Sequence, residues 1–408
     1  MSPRALWAVF TTTESKKESL NLIDARAYGL DPHFLQFSGG KTKWESSTFA
    51  LEHGFGQVDT IVVDEELTLS KAFSTAMRPS KIIPYFYRAS GEFESDDITV
   101  TTLVTSSRFG AFSRLIDRYR GPISATIHVG NTTNEIRTVL RSLKSLYATS
   151  RNMAAYVDVH LVIDSFDRQF NTWRNIARLF ARTDYVMMLD VDFYLCTDFR
   201  TAIRETPHIM DKLRRGNVAL VVPAFEYTKY SDGLDPSVFP RDKRALLSLV
   251  KSKHLGMFHA SWTPGHNSTD YKRFYAAPPG NIYKVTQYTS AYEPYVIVKR
   301  EGPPWCDERF IGYGGNKAAC LFEMYISGIS FFVLTDHFII HQSHRYEEIA
   351  RKTERRYNKK LFSEFKEEIC FRYLKMYNDH GLLNTTQSVN ALQECKGRKR
   401  ITRLTEST

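Results

Sequence analysis

Between residues 98 and 224 the chain alternates short, continuously apolar runs with segments whose apolar residues recur at helical spacing. Ile98–Thr105 is rich in β-branched residues, and FGAFSRLIDRY (109–119) carries helical periodicity. Gly121-Pro122 breaks the chain before a strand expected over Ile123–Val129. A helix is expected over about 134–147, a strand over Val157–Ile163, a helix over about 172–182, and another apolar run at Tyr185–Leu189. Strands that are apolar throughout, not only at alternate positions, are buried on both faces. The pattern predicts an α/β fold, a mostly parallel sheet with helices on both sides.

Asp198 is placed to cap a helix over 199–214, and Asn217–Ala224 reads as another buried strand. Residues 225–305 are rich in aromatics, Pro and Gly and read as a long substrate-facing insertion. A Gly-rich turn at 312–315 leads into a helix over about 316–327 and a strand at Phe331–Leu334. The expected organisation is therefore an irregular region at 1–95, a catalytic domain at 96–345, a charged helical extension at 346–380 and a polar tail at 381–408. The tail carries Lys396, Arg398, Lys399, Arg400 and Arg403 and is expected to be disordered.

The formal net charge is +10, which suits polyphosphates, acidic glycans or membrane surfaces as well as nucleic acid. The charge is spread along the chain without any nucleic-acid motif, so no nucleic-acid partner is expected. Five cysteines with no CxxC spacing argue against a zinc site and leave room for one or two disulfides. Sequons at Asn131, Asn267 and Asn384 permit N-glycosylation. The apolar stretch Ala5–Phe10 is too short for a membrane span or a signal h-region, so a secretory enzyme would need an anchor upstream.

The sharpest feature is YVMMLDVDFYL, 185–195. A buried strand here delivers Asp190 and Asp192 to its carboxyl end, where α/β sheets bind ligands. Two residues apart in extended chain, both carboxylates point the same way and can address one hard cation, Mn2+ or Mg2+. A bare DxD is common, and a solvated turn is the plain alternative; five apolar residues before it strengthen the metal reading.

From about 98 to 345 the sequence resembles glycosyltransferase family 49. TLVTSSRFGAFSRLIDRYRGPIS (102–124), NTWRNIAR (171–178), YVMMLDVDF (185–193) and VVPAFEY (221–227) carry the likeness. WTPGHNSTDY (262–271), YEPYVIV (292–298), DERFIGYGGNK (307–317) and FFVLTDHFIIHQSH (331–344) follow in the family's order. The resemblance implies a GT-A fold, a UDP-sugar donor held with Mn2+, inverting transfer to a glycan or glycoprotein acceptor, and a Golgi or other secretory-lumen setting. Glucuronic acid is the donor sugar it suggests.

Roles follow residue by residue. Asp190, Asp192 and His341 are the expected metal ligands, with His344 competing for the third place and His337 behind it. Arg174 and Asn175 open the helix before the metal strand, where Arg174 can pair with a phosphate or hold the Asp carboxylates; an ordinary exposed helix residue is the alternative. Thr105 and Arg108 end the first strand of the domain, where nucleotide base and ribose are expected, although Thr105 reads equally well as a cap. Trp262, His266, Asp270 and Tyr271 offer a polar and aromatic cluster for a sugar ring, against plain packing of Trp262. Tyr292, Glu293 and Tyr295 invite the same reading.

Inversion needs a general base. Many inverting GT-A enzymes carry Gly-Gly-Glu-Asp at a helix start, whereas this chain has Gly314-Gly315-Asn316-Lys317. Asp307 and Glu308 are the nearest carboxylates and the candidates; otherwise they bind acceptor hydroxyls or stabilise the turn. Lys317 and Arg309 can pair with a uronate carboxylate. Two other classes fit less well. A sugar nucleotidyltransferase would carry a Gly-rich phosphate loop that TTLVTSSRFG lacks, and a non-catalytic glycan-binding relative fits poorly with an intact DVD and a late His.

Overall fold

The structure is a computed structural model and describes residues 47–52, 58–63, 80–166, 168–344 and 348–396. Ser47–Glu52 and Val58–Val63 pair as a two-stranded sheet, within the stretch expected to be irregular. The strands after these are β1 (Lys81–Tyr87), β2 (Ile98–Val104), β3 (Ile123–Gly130), β4 (Val157–Asp164), β5 (Tyr185–Met188) and β6 (Phe193–Leu195). They continue with β7 (Val218–Val222), β8 (Ala224–Tyr227), β9 (Leu255–Met257), β10 (Ile282–Lys284), β11 (Tyr295–Lys299), β12 (Ser330–Leu334) and β13 (Ile339–His341).

Nine of them form one sheet in the order β10-β12-β7-β11-β5-β2-β3-β4-β1. Strands β2, β3, β4, β5, β7 and β12 run one way, while β1, β10 and β11 oppose them. The sheet is thus mostly parallel, as the apolar runs predict. Every residue of β4 and of β5 is buried, as expected where both faces are covered. The other four form a smaller sheet, β9-β8-β13-β6. The chain steps from the large sheet to the small one through the turn Leu189–Asp192, between β5 and β6.

Prolines account for several departures from expectation. The sheet begins before residue 96, because β1 joins its edge antiparallel to β4. Pro84 lies within β1, where Tyr85 has φ +46° and the register slips; an edge strand tolerates both. The helix expected over 199–214 is two, Phe199–Arg204 and Pro207–Arg214, since Pro207 has no N–H to continue the first. Pro223 likewise divides the run at 217–224 between β7 and β8.

The helices that matter for the site are α1 (Phe109–Tyr119), α2 (Phe170–Leu179), α3 (Tyr271–Ala276), α4 (Asn316–Ile326), α5 (Glu348–Asp379) and α6 (Val389–Cys395). Helix α5 is no appendage: Phe365, Ile369, Tyr373 and Tyr377 share one core with Phe322 and Ile326 of α4. The tail is ordered at least to Lys396, contrary to expectation. Asn390 donates to the carbonyls of Tyr325 (2.9 Å) and Ile329 (3.1 Å), and Cys370–Cys395 ties α6 to α5. Arg398, Lys399, Arg400 and Arg403 lie outside the described residues.

A second disulfide, Cys306–Cys320, pins the loop before α4 to that helix, and Cys196 is a buried free thiol. Denatured, unreduced protein should therefore titrate one thiol per chain with Ellman's reagent and five after reduction; three or more before reduction would refute this pairing. Among the described residues no helix is long and apolar enough to cross a membrane.

Candidate active site

The turn that leaves β5 sets the two aspartates apart. Phe193 N–H closes it on the Asp190 carbonyl at 3.1 Å, and Val191 between the aspartates is buried. The side chains therefore do not lie side by side as in extended chain; each meets a different set of partners.

Asp190 faces α4 and β11. Lys317 Nζ lies 3.0 Å from Oδ2, the Tyr295 hydroxyl donates to Oδ2 at 2.9 Å, and Arg174 Nη2 lies 3.3 Å from Oδ1. Burial alone would raise this carboxyl, but Lys317, Arg174 and the Tyr295 hydroxyl hold it well below the usual carboxylate range. Arg174 is itself fixed by Asn171 (2.9 Å) and Asn316 (2.7 Å). Asn171 stands in the sequence only as a member of NTWRNIAR, and Tyr295, read there as a sugar contact, shows no sign of its bond to Asp190.

Asp192 faces α1 and the small sheet. Strand β13 pairs with β6 so that His341 stands opposite Phe193, one residue from Asp192. Beyond β13, Gln342 N–H donates to the Asp192 carbonyl at 2.9 Å, and Arg114 of α1 donates to the Gln342 side chain at 2.7 Å. That anchor turns the chain so that His344 Nε2 comes to 3.3 Å from Asp192 Oδ2. Asp192, His341 and His344 can each offer one ligand atom, all within 4.8 Å of one another. One carboxylate and two imidazoles suit a cation of the Mn2+ class. Burial lowers His341 to about 3, against the pull of Asp192, so its ring is neutral at physiological pH, as a ligand must be. Arg108 already brings positive charge to this group, Nε at 3.1 Å from Asp192 and Nη2 at 2.8 Å from His344. His344, the competitor in the sequence, joins this group, and Asp190 stands outside it. His337 bonds Thr197 at 3.0 Å and is not part of it.

A family model described as "Glycosyl-transferase for dystroglycan" matches residues 97–169 and 165–374. The chain belongs to this glycosyltransferase family. Rat "Xylosyl- and glucuronyltransferase LARGE2" is 35% identical over 255 residues, 61% of this chain and 34% of the relative. Human "Xylosyl- and glucuronyltransferase LARGE1" is 29% identical over 290 residues, 69% of this chain and 36% of the relative. Zebrafish LARGE1 is 30% identical over 299 residues, 70% and 37%. The chain thus spans about a third of the length of these relatives. Among solved structures, S. aureus TarS 1–349 aligns over 75% of this chain and 73% of its own at 11% identity, with a TM-score of 0.40, too slight a likeness to carry weight.

Several residues expected to act in the site make contacts with the scaffold. Glu308 is buried and accepts from Asn175 (2.8 Å) and Thr172 (3.0 Å), while Asp307 is gripped by Arg309 at 2.5 Å. Asn175 also exchanges hydrogen bonds with the Cys306 backbone, at 2.9 and 3.0 Å, so it fixes the disulfide loop. Arg309 bridges Asp307 to Glu368 of α5 at 2.8 Å. Asp270 caps α3 through Arg273 N–H at 3.1 Å, and Tyr271 is buried with its hydroxyl on the Ala224 carbonyl at 2.8 Å. His266 is buried too, its ring 6.4 Å from that of Tyr295. Of that cluster Trp262 and Asp270 are open, Trp262 60% exposed on the surface loop. Thr105 contacts Ser107 at 3.2 Å at the end of β2.

Gly315 makes α4 possible at this place. It caps the helix with φ +72°, a conformation costly for residues with a Cβ, and Gly314 before it has φ +93°. The turn brings Lys317, second residue of α4, onto Asp190.

Proposed function

We propose that the chain is an inverting glycosyltransferase that transfers a sugar from a UDP-sugar to a glycan acceptor, with a divalent cation held by Asp192, His341 and His344. The observation that carries this reading is the convergence of that carboxylate and those two imidazoles at the carboxyl end of β5, within a chain of this family. A bound Mn2+ would supply Lewis acidity to the departing diphosphate. Arg108 and Lys317 bring further positive charge to the same edge, which offsets the charge of a nucleotide diphosphate. Lys317, Arg174 and Tyr295 keep Asp190 ionised and fixed. The names of the relatives favour UDP-glucuronic acid as the donor to try first. Trp262 offers a flat, exposed ring on which an acceptor sugar can rest.

Thermal unfolding tests the reading. Mn2+ and UDP together should raise Tm by about 5 °C at saturation, from a binding term of about 2.7 kcal/mol at a hundredfold excess over Kd. UDP without metal should give little. No shift under any combination sinks the proposal.

Two disulfides and three exposed sequon asparagines, Asn131, Asn267 and Asn384, support a secretory-lumen setting. Peptide N-glycosidase F should increase the electrophoretic mobility of protein made in a eukaryotic secretory pathway. Unchanged mobility would remove the sequons as support.

A further inference from the structure

Inverting transfer needs a group that takes the proton of the attacking hydroxyl. Asp307 and Glu308 are committed to Arg309, Asn175 and Thr172. We propose that Glu293 is the base, an assignment that rests on the glycosyltransferase reading.

Glu293 lies two residues before β11. That strand runs antiparallel to β5 with Val296 opposite Met188, so its first residues stand at the same sheet edge as the Asp190 turn. Tyr295, two residues on, donates to Asp190. The Glu293 N–H is held by the Gly265 carbonyl at 2.7 Å, and the Ala318 N–H, third residue of α4, lies near enough to its carboxylate to favour the charged form. The carboxylate thus sits at the head of the helix that sends Lys317 to Asp190. The turn at the head of this helix carries no carboxylate of its own. Here the turn reads Gly314-Gly315-Asn316-Lys317, and the carboxylate comes from the neighbouring strand instead.

The surroundings suit a base. Lys317 of α4, Arg174 of α2 and Asp190 of the β5–β6 turn are the charged groups that act on Glu293. Lys317 and Arg174 pair with Asp190, at 3.0 and 3.3 Å, which leaves the Glu293 carboxylate less neutralised than Asp307 in the grip of Arg309. Burial pushes the Glu293 carboxyl up, opposed by Lys317 and Arg174. A carboxylate raised in this way is a better proton acceptor near neutral pH than one in water. In the step, the acceptor hydroxyl's proton passes to a Glu293 oxygen as that hydroxyl's oxygen bonds to the anomeric carbon. The bond from the anomeric carbon to the phosphate oxygen breaks, and its electron pair leaves on UDP.

Glu293→Gln keeps the shape and removes the base. With UDP-glucuronic acid as donor and 4-nitrophenyl β-xyloside or water as acceptor, kcat should fall about 10²- to 10⁴-fold. The Tm shift given by Mn2+ and UDP should match that of the native protein. The low-pH limb of the native kcat/KM profile should vanish from the residual activity, and Glu293→Asp should recover at least about tenfold over the Gln variant. Because a raised carboxyl favours the protonated form in the folded state, the Gln variant should unfold at or above the native Tm at pH 7. Activity within threefold of native, or loss of the Mn2+ and UDP shift, overturns the assignment. A native protein that neither shifts with Mn2+ and UDP nor releases UDP from its sugars defeats the underlying reading, which is a distinguishable failure.

Discussion

Asp192→Asn should lower kcat/KM for sugar transfer about a thousandfold while costing the fold about 1 kcal/mol or less. Asp192 is the sole carboxylate of the group with His341 and His344, so Asn leaves two neutral imidazoles and no anionic ligand. In the absence of metal its partners are Arg108 at 3.1 Å and His344 at 3.3 Å, both partly open to solvent, and such pairs contribute little stability. Rates at saturating Mn2+ and urea denaturation of the same preparation separate the two effects. A variant that keeps the native Tm shift with Mn2+ and UDP would show that the cation is held elsewhere.

Asp190→Asn should act mainly on the fold, destabilising by about 3 kcal/mol, because it strands charges that the interior has already desolvated. Lys317 is only 7% exposed at its side chain and lies 3.9 Å from the centre of the Tyr295 ring, with Asp190 as its ion-pair partner at 3.0 Å. Arg174, 10% exposed, loses the same carboxylate. The double variant Asp190→Asn/Lys317→Met removes the stranded ammonium and should recover at least half of the loss. The pH dependence has a definite sign. The Asp190 carboxyl is depressed in the folded protein, so its contribution is present at neutral pH and fades as pH falls below the unfolded value of about 4. The stability gap between native and Asp190→Asn should therefore narrow below about pH 4. Equal stability of the two proteins at pH 7 would contradict the buried ion-pair account.

The two aspartates of one DxD thus meet different partners, and this division is not legible from spacing alone. The sequence locates the pair at the end of a buried strand, since five apolar residues before Asp190 require it. The alternate geometry of extended chain then misleads, because the chain turns at Leu189–Asp192 to change sheets and buries Val191 between the carboxylates. His341 could be read from its place after an apolar run. The place of His344 beside Asp192 depends on the Gln342 anchor to the Asp192 carbonyl, a tertiary hydrogen bond that no local pattern announces. Asp307 and Glu308 drew attention by proximity to the glycine turn, yet Arg309 two residues on and Asn175 from α2 consume them. Glu293 is distant in sequence from that turn and meets it only through the antiparallel placement of β11. The edge strand β1 is not legible because Pro84 interrupts its pattern. Nor is helix α6: its polar sequence is held by the Cys370–Cys395 bridge and Asn390, both long-range.

Anomalous diffraction from a crystal soaked with Mn2+ and UDP tests the central claim most directly. The account predicts a single strong manganese peak in the site, bonded to an Asp192 oxygen and to one nitrogen each of His341 and His344 at about 2.0–2.3 Å, with Asp190 still paired to Lys317. A peak at Asp190 away from both imidazoles, or no bound manganese beside Asp192, would contradict it.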